Sequence, residues 1–334
     1  VIRAALVAVA ALATAGCALR PATVAPPAWP ADLPAAVELT ATPFHAQDRY
    51  QCGPAALATV LESAGVVVTP EALVDEVYLP ARRGSLQTEL IAATRRRARL
   101  AYELEPDFAT LLREVAAGRP VLVLQNLAID AWPRWHYAVV IGYDVAADRL
   151  VLRSGTTARQ WMSRRRFDSS WRRAGRWAVV VSRPAEPPRT AAPLRWLRAA
   201  ADLDVTQRRD AARAAQHAAV ERWPDSALAA VALANGQLAD GDAATAERSL
   251  HAAVARGAAD AIVYNNLADL RGKRGCRRAA LQAIEQAELQ LGAADSRQAG
   301  GVGASALRAA VAATRAALPA LADAAEPAGC DTPP

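Results

Sequence analysis

The stretch Gln47-Asp48-Arg49-Tyr50-Gln51-Cys52-Gly53-Pro54 holds the residues best suited to covalent chemistry. Cys52 is followed by Gly-Pro and then by a helix-forming run with Leu57, Val60 and Leu61 on one face, which puts the thiol at a helix start. Unpaired N–H groups and the helix dipole at such an end favour a negative sulfur, so the sequence predicts a lowered thiol pKa and a nucleophile. A buried structural cysteine is the plainer alternative. A base stands far downstream, where His136 opens the apolar run Tyr137-Ala138-Val139-Val140-Ile141. Such a run forms a central strand. A thiol on a helix and an imidazole on a strand can share nucleophilic catalysis between two elements.

The elements that must position them follow from pattern and punctuation. Helices are expected over about 53–64, closed by Gly65, over 70–77, with Thr69 as cap and Pro70 at the first helical position, over 85–97 and over 107–117. Strands are expected at 36–39, 101–104, 120–126, 136–143, 149–153 and 177–182, the last three as antiparallel neighbours. Phe167 and Trp171 stand one turn apart on a short helix and read as core, whereas Trp132 and Trp135 flank the histidine as candidate cleft walls or aromatic core.

Gln47, Cys52-Gly53-Pro54 and His136-Tyr137 with its strand resemble the bacteriocin-processing, or double-glycine, cysteine peptidases (family 39 of the cysteine peptidases) over roughly residues 38 to 183. The resemblance implies a papain-like α+β fold, with Cys52 as nucleophile, His136 as general base and Gln47 as an oxyanion-hole donor. It also implies that Tyr78, Gly84 and Ser85 border a substrate cleft, the alternative being a plain helix connection. The family's Asp is missing, because the chain reads Leu150-Val151-Leu152-Arg153-Ser154-Gly155 where an Asp-Pro step is usual. Ser154 is a candidate to accept from the imidazole N–H and orient the ring, with a backbone carbonyl or a water as alternatives. Asp144 lies eight residues along the strand from His136, about 26 Å away at about 3.3 Å per residue, and cannot reach the ring.

The chain has 334 residues, is 53% hydrophobic and carries a net charge of +6, which suits a globular protein of two domains. Runs such as Arg95-Arg96-Arg97 and Arg164-Arg165-Arg166 have no accompanying groove-reading motif, so they read as solvated faces and no nucleic-acid partner is expected. Arg3, the apolar residues 4–13 and Thr14-Ala15-Gly16-Cys17 resemble an export signal ending in a lipobox, with Cys17 as the lipidated residue. Ala18 after it resembles an outer-membrane sorting signal. The expectation is a lipid-anchored envelope protein facing the periplasm, or a secreted one without lipid. In that oxidising compartment Cys276 and Cys330 are expected to pair, with free thiols as the alternative.

The domain plan is a signal at 1–17, a Pro-rich tether at 18–35, a papain-like domain at 36–183, a Pro-rich linker at 184–198 and a helical domain at 199–334. In the helical part Leu233 and Leu267, Ala234 and Ala268, Ala246 and Ala280 repeat at a spacing that resembles tetratricopeptide repeats. Two full repeats are expected over about 227–294, with Trp223-Pro224 ending a degenerate one and a last helix starting at Ser305. No cofactor or metal is expected, and His217 and His251 read as surface residues. The expected partners are a peptide or protein substrate, a protein bound by the repeats and a membrane through the lipid. Two functions compete with a cysteine peptidase: a catalytically weak or inactive peptide-binding module, and a repeat scaffold with an ancillary N-terminal domain.

Overall fold

The computed structural model describes residues 25–47, 51–296, 302–318, 326–327 and 330. The expected signal with Cys17 and positions 18–24 of the expected tether lie outside the described residues.

A seven-stranded antiparallel sheet forms the centre of the N-terminal domain. Its strands are β1 (Ala36–Glu38), β2 (Leu100–Glu103), β3 (Val121–Asn126), β4 (Trp135–Asp144), β5 (Arg149–Ser154), β6 (Thr157–Ser163) and β7 (Ala178–Ser182), in the order β2-β7-β3-β4-β5-β6. β1 pairs with the far end of β4, Ala36 opposite Asp144, and approaches Gly142 so closely that a Cβ there would lie 2.3 Å from the Val37 carbonyl oxygen. The expected pairing of 149–153 with 177–182 is corrected: β7 lies between β2 and β3. Its five residues are all buried, as the middle of a covered sheet requires. The place beside β5 is taken by β6, which the sequence hid because Thr-Ala-Arg-Gln-Trp-Met-Ser is largely polar and mostly exposed, the composition of an edge strand.

Both sheet faces are covered. Helix α1 (Cys52–Ser63) buries Leu57, Val60 and Leu61 against Leu122, Val139, Ile141 and Val151. α2 (Pro70–Val77) and α3 (Gln87–Arg96) complete that side, with Thr69 capping α2 through the Ala72 N–H. On the other face α4 (Phe108–Ala116), capped by Asp107, and α5 (Arg164–Arg172) bring Phe108, Leu111, Phe167 and Trp171 onto Val121, Val123, Val140 and Leu152. The alternation Val121 and Val123 against Leu122 and Leu124 is the period of two by which one strand feeds both cores.

The C-terminal part is helical: α6 (Pro193–Val205), α7 (Arg209–Arg222), α8 (Ala227–Ala239), α9 (Ala243–Ala255), α10 (Ala261–Lys273), α11 (Arg277–Ser296) and α12 (Val302–Ala317). The first residues of α6, α8 and α10 lie 34 positions apart, as do those of α7, α9 and α11. Three helical hairpins therefore repeat in register, and the segment before Trp223-Pro224 is a full hairpin. α12 starts before the expected Ser305. His251 is half-buried between Glu247 and Arg271, where the sequence suggested surface. Cys276 and Cys330 form a disulfide, with Cα atoms 5.2 Å apart.

Two segments expected as free connections are bound instead. In the stretch assigned to the tether, Trp29 stacks near Phe108 and Tyr143, donates to Asp148, and is followed by Asp32 paired with Arg113. In the expected linker the buried Glu114 carboxylate accepts from the Arg189 N–H, the Thr190 N–H and the Thr190 hydroxyl, while the Ala192 N–H reaches the Tyr102 hydroxyl. Prolines set these chains extended without making them free, because neighbouring aromatic and acidic groups hold them. The helix α6 begins inside the expected linker, and Trp196 on it is fully buried, donating to the Ala215 carbonyl. One apolar cluster thus runs from Tyr102 and Val180 of the sheet to Ala200, Leu203, Ala212 and Ala229 of the hairpins.

Candidate active site

Cys52 occupies the first turn of α1 and is half-buried. The N–H groups of Tyr137, Gly53 and Cys52 itself point at the sulfur, and burial outweighs them, pushing the thiol pKa up. The expected lowering is therefore corrected: helix-start donors are present, but desolvation of a thiolate against the sheet costs more than they return. The contact with the Tyr137 N–H sets the sulfur at the start of β4, one residue from His136.

Gly53 permits this placement. A Cβ there would lie 2.2 Å from the Ser85 hydroxyl and 2.6 Å from the Ser85 Cβ, so only glycine lets the loop before α3 close on α1. That loop turns at Pro80–Arg82, passes through Arg83 in the left-handed region (φ 49°), and is tied by the Leu79 N–H to the Gly84 carbonyl. The Tyr137 hydroxyl donates to the Ser85 carbonyl and fixes the loop to β4. Between this loop and the segment Pro133–Trp135 opens a cleft of about 670 Å³ with Cys52 in its wall. Gly84, Ser85 and Trp135 line it as the sequence suggested, whereas Tyr78 and Trp132 are not among its lining residues. Three lining residues that the sequence reading passed over are Arg82, Arg83 and Arg134. Their signal was present, since an arginine pair precedes Gly84 and an arginine stands two residues before the histidine.

His136 stands opposite Gln125 in the β3–β4 register, with Nε2 2.8 Å from the Ser154 hydroxyl. Burial lowers its pKa to about 4, and the nearby Arg134 charge adds to the effect. Among the described residues no hydrogen bond joins Cys52 to His136, and the pair at rest is a neutral thiol and a neutral imidazole. The Gln47 N–H bonds the Gly155 carbonyl, which brings the glutamine loop beside Ser154. Asp144 pairs with Arg149 at the other end of β4, away from the ring. The structure thus gathers Gln47, His136 and Ser154 at one corner of the sheet, and the Tyr137 N–H ties Cys52 to the strand that begins there.

Residues 38–179 match the model of the Peptidase_C39 like family. The N-terminal domain resembles the C39-like peptidases. Three solved structures are similar to it. One is described as a C39-like peptidase from Bacillus anthracis, at 21% identity over 44% of this chain and 96% of that one, with a TM-score of 0.37. Another is the peptidase domain of Streptococcus ComA, a bi-functional ABC transporter, at 21% identity over 42% and 96%, TM-score 0.35. The third is a double glycine motif protease from an AMS/PCAT transporter in complex with the leader peptide, at 19% identity over 42% and 91%, TM-score 0.33. No curated protein matches the chain. The α+β domain resembles the C39-like peptidases over residues 38–179, and helical hairpins follow it.

Proposed function

We propose that the protein is a cysteine peptidase in which Cys52 attacks the peptide carbonyl and His136 manages the protons. The observation that carries this reading is Cys52 at the start of α1 in the wall of the cleft, its sulfur bonded by the N–H of Tyr137, the residue after His136 on β4. With Ser154 Oγ accepting from Nε2–H, the other ring nitrogen is left as base. It takes the thiol proton as sulfur bonds to carbon, and hydrogen bonds of this kind commonly tighten only once substrate is bound. The oxyanion is received by the Cys52 N–H and the Gln47 side chain. Collapse breaks the C–N bond as the imidazolium protonates the leaving amine. Water, deprotonated by His136, then hydrolyses the thioester and frees the acid.

In this reading Ser154 holds the ring without stabilising its charge as a carboxylate would, so turnover is slow. The helical hairpins, read as tetratricopeptide-like, present a protein substrate or partner. Cys17 carries the lipid that anchors the chain in the outer membrane, facing the periplasm. The test is a peptide library cleaved by wild type and Cys52→Ala protein. Turnover lost in the variant supports the peptidase. The absence of a thiol–imidazole hydrogen bond favours a second reading, a peptide-binding module, which stands if the wild type binds peptides and cuts none.

A further inference from the structure

The cleft has a charge that the rest of the molecule does not prepare one to expect. Among the described residues its lining includes the guanidinium groups of Arg82 and Arg134 on facing segments and no carboxylate. Elsewhere this arginine-rich chain pairs its cations with care: Arg96 and Arg97 share Glu76, Arg271 and Arg274 share the buried Glu247, and Arg213 sits between Asp204 and Asp240. Arg82 and Arg134 are exposed and have no acid partner among the described residues. They belong to facing segments: Arg82 lies on the loop closed by the Leu79–Gly84 bridge, and Arg134 is held through its backbone N–H by the Asn126 side chain. Both backbones are fixed while both side chains are left to a ligand.

We propose that the cleft selects peptides bearing a carboxylate side chain within a few residues of the scissile bond, with Arg82 and Arg134 receiving it from the two walls. This rests on the peptidase reading for the bond cut, but not for the peptide bound. A guanidinium takes a carboxylate through two parallel N–H···O bonds, which selects acidic over neutral isosteres more sharply than a lysine would. The concavity argues for a peptide rather than a lipid surface, because these arginines line a hollow that leads to Cys52. Apolar Leu86, Leu124 and Trp135 line the same cleft, so an acidic residue next to an aliphatic one suits it. A substrate carboxylate beside Arg134 also offsets a positive charge that helps lower the His136 pKa, so binding and base strength rise together.

The experiment compares matched fluorogenic peptides carrying Glu, Gln or Lys on either side of the cleavage point. Wild type, Arg82→Glu and Arg134→Glu proteins are each tested. In the wild type, kcat/KM for the Glu peptide is expected to exceed that for Gln by about tenfold or more, the scale of a charge-assisted hydrogen bond. Each charge reversal should collapse that ratio or turn it toward Lys. Full-length Cys52→Ala protein, titrated with the same peptides by fluorescence anisotropy at low and high salt, reads the preference without chemistry. Failure of cleavage with Glu-selective binding would sink the peptidase and leave this inference standing. Equal binding of Glu and Gln peptides overturns it, as does a Glu preference that survives both reversals. So does a variant that loses only its association with anionic phospholipid vesicles.

Discussion

His136 is kept neutral by its surroundings, and this fixes two measurable properties. Its folded pKa is lowered to about 4, below the ordinary value near 6.5. Between those pH values the unfolded chain binds a proton that the folded one refuses, so stability falls as pH drops through that window and flattens below it. Thermal unfolding followed from pH 8 to pH 3.5 should show that loss in the wild type and a smaller one in His136→Gln. In the proposed mechanism the imidazole stays unprotonated in mild acid, so the acid limb of kcat/KM should lie near pH 4. Ser154→Asp supplies the charge that the hydroxyl lacks. It is expected to move the acid limb upward in pH and to raise kcat on the order of tenfold, given how strongly orienting carboxylates act in such units. A profile unmoved by this change would separate Ser154 from the chemistry. Cys52 and His136 were legible because rare residue types stood at element starts. The direction of the thiol shift was not, since burial depends on what the fold lays over the sulfur.

At the scale of elements, the contact between α1 and the loop before α3 governs the cleft. Gly53→Ala drives a methyl into Ser85, and overpacking of this kind costs about 1–3 kcal/mol. The melting temperature and peptide turnover of Gly53→Ala should both fall, and Ser85→Gly in the same chain should restore them, because it removes both atoms in the way. The sequence could mark Gly53 as special but could not name its neighbour, which lies 32 positions on. The same limit explains the sheet. β3 and β4 announced themselves by continuous apolar runs, while β6, with Arg159 over Glu38 and Trp161 stacked under Arg149, carries no hydrophobic period. Its partnership is made by a neighbour across the ladder and is invisible along the chain.

At the scale of the whole molecule, the domains indicated by proline-rich seams share one core. The prolines at 184–198 were read as a linker, yet Trp196 within that stretch is buried in the shared core and Glu114 ties it down. Trp196→Ala should therefore cost about 3–5 kcal/mol and lower a single calorimetric transition, rather than melting the hairpins alone. Two separate transitions, with only the later one unmoved, would contradict a continuous core. The 34-residue period was readable in the small residues where helices cross, whereas its first copy was masked by the tryptophan that serves the sheet.

Trp29 adds a matter of orientation. It seats against Tyr143, seven residues up β4 from His136 and so about 23 Å from it. Whatever pulls on the chain through residue 25 takes hold of the end of β4 opposite His136. A protein leashed to a surface from that side would turn its back to the surface and hold its opening toward passing polypeptides.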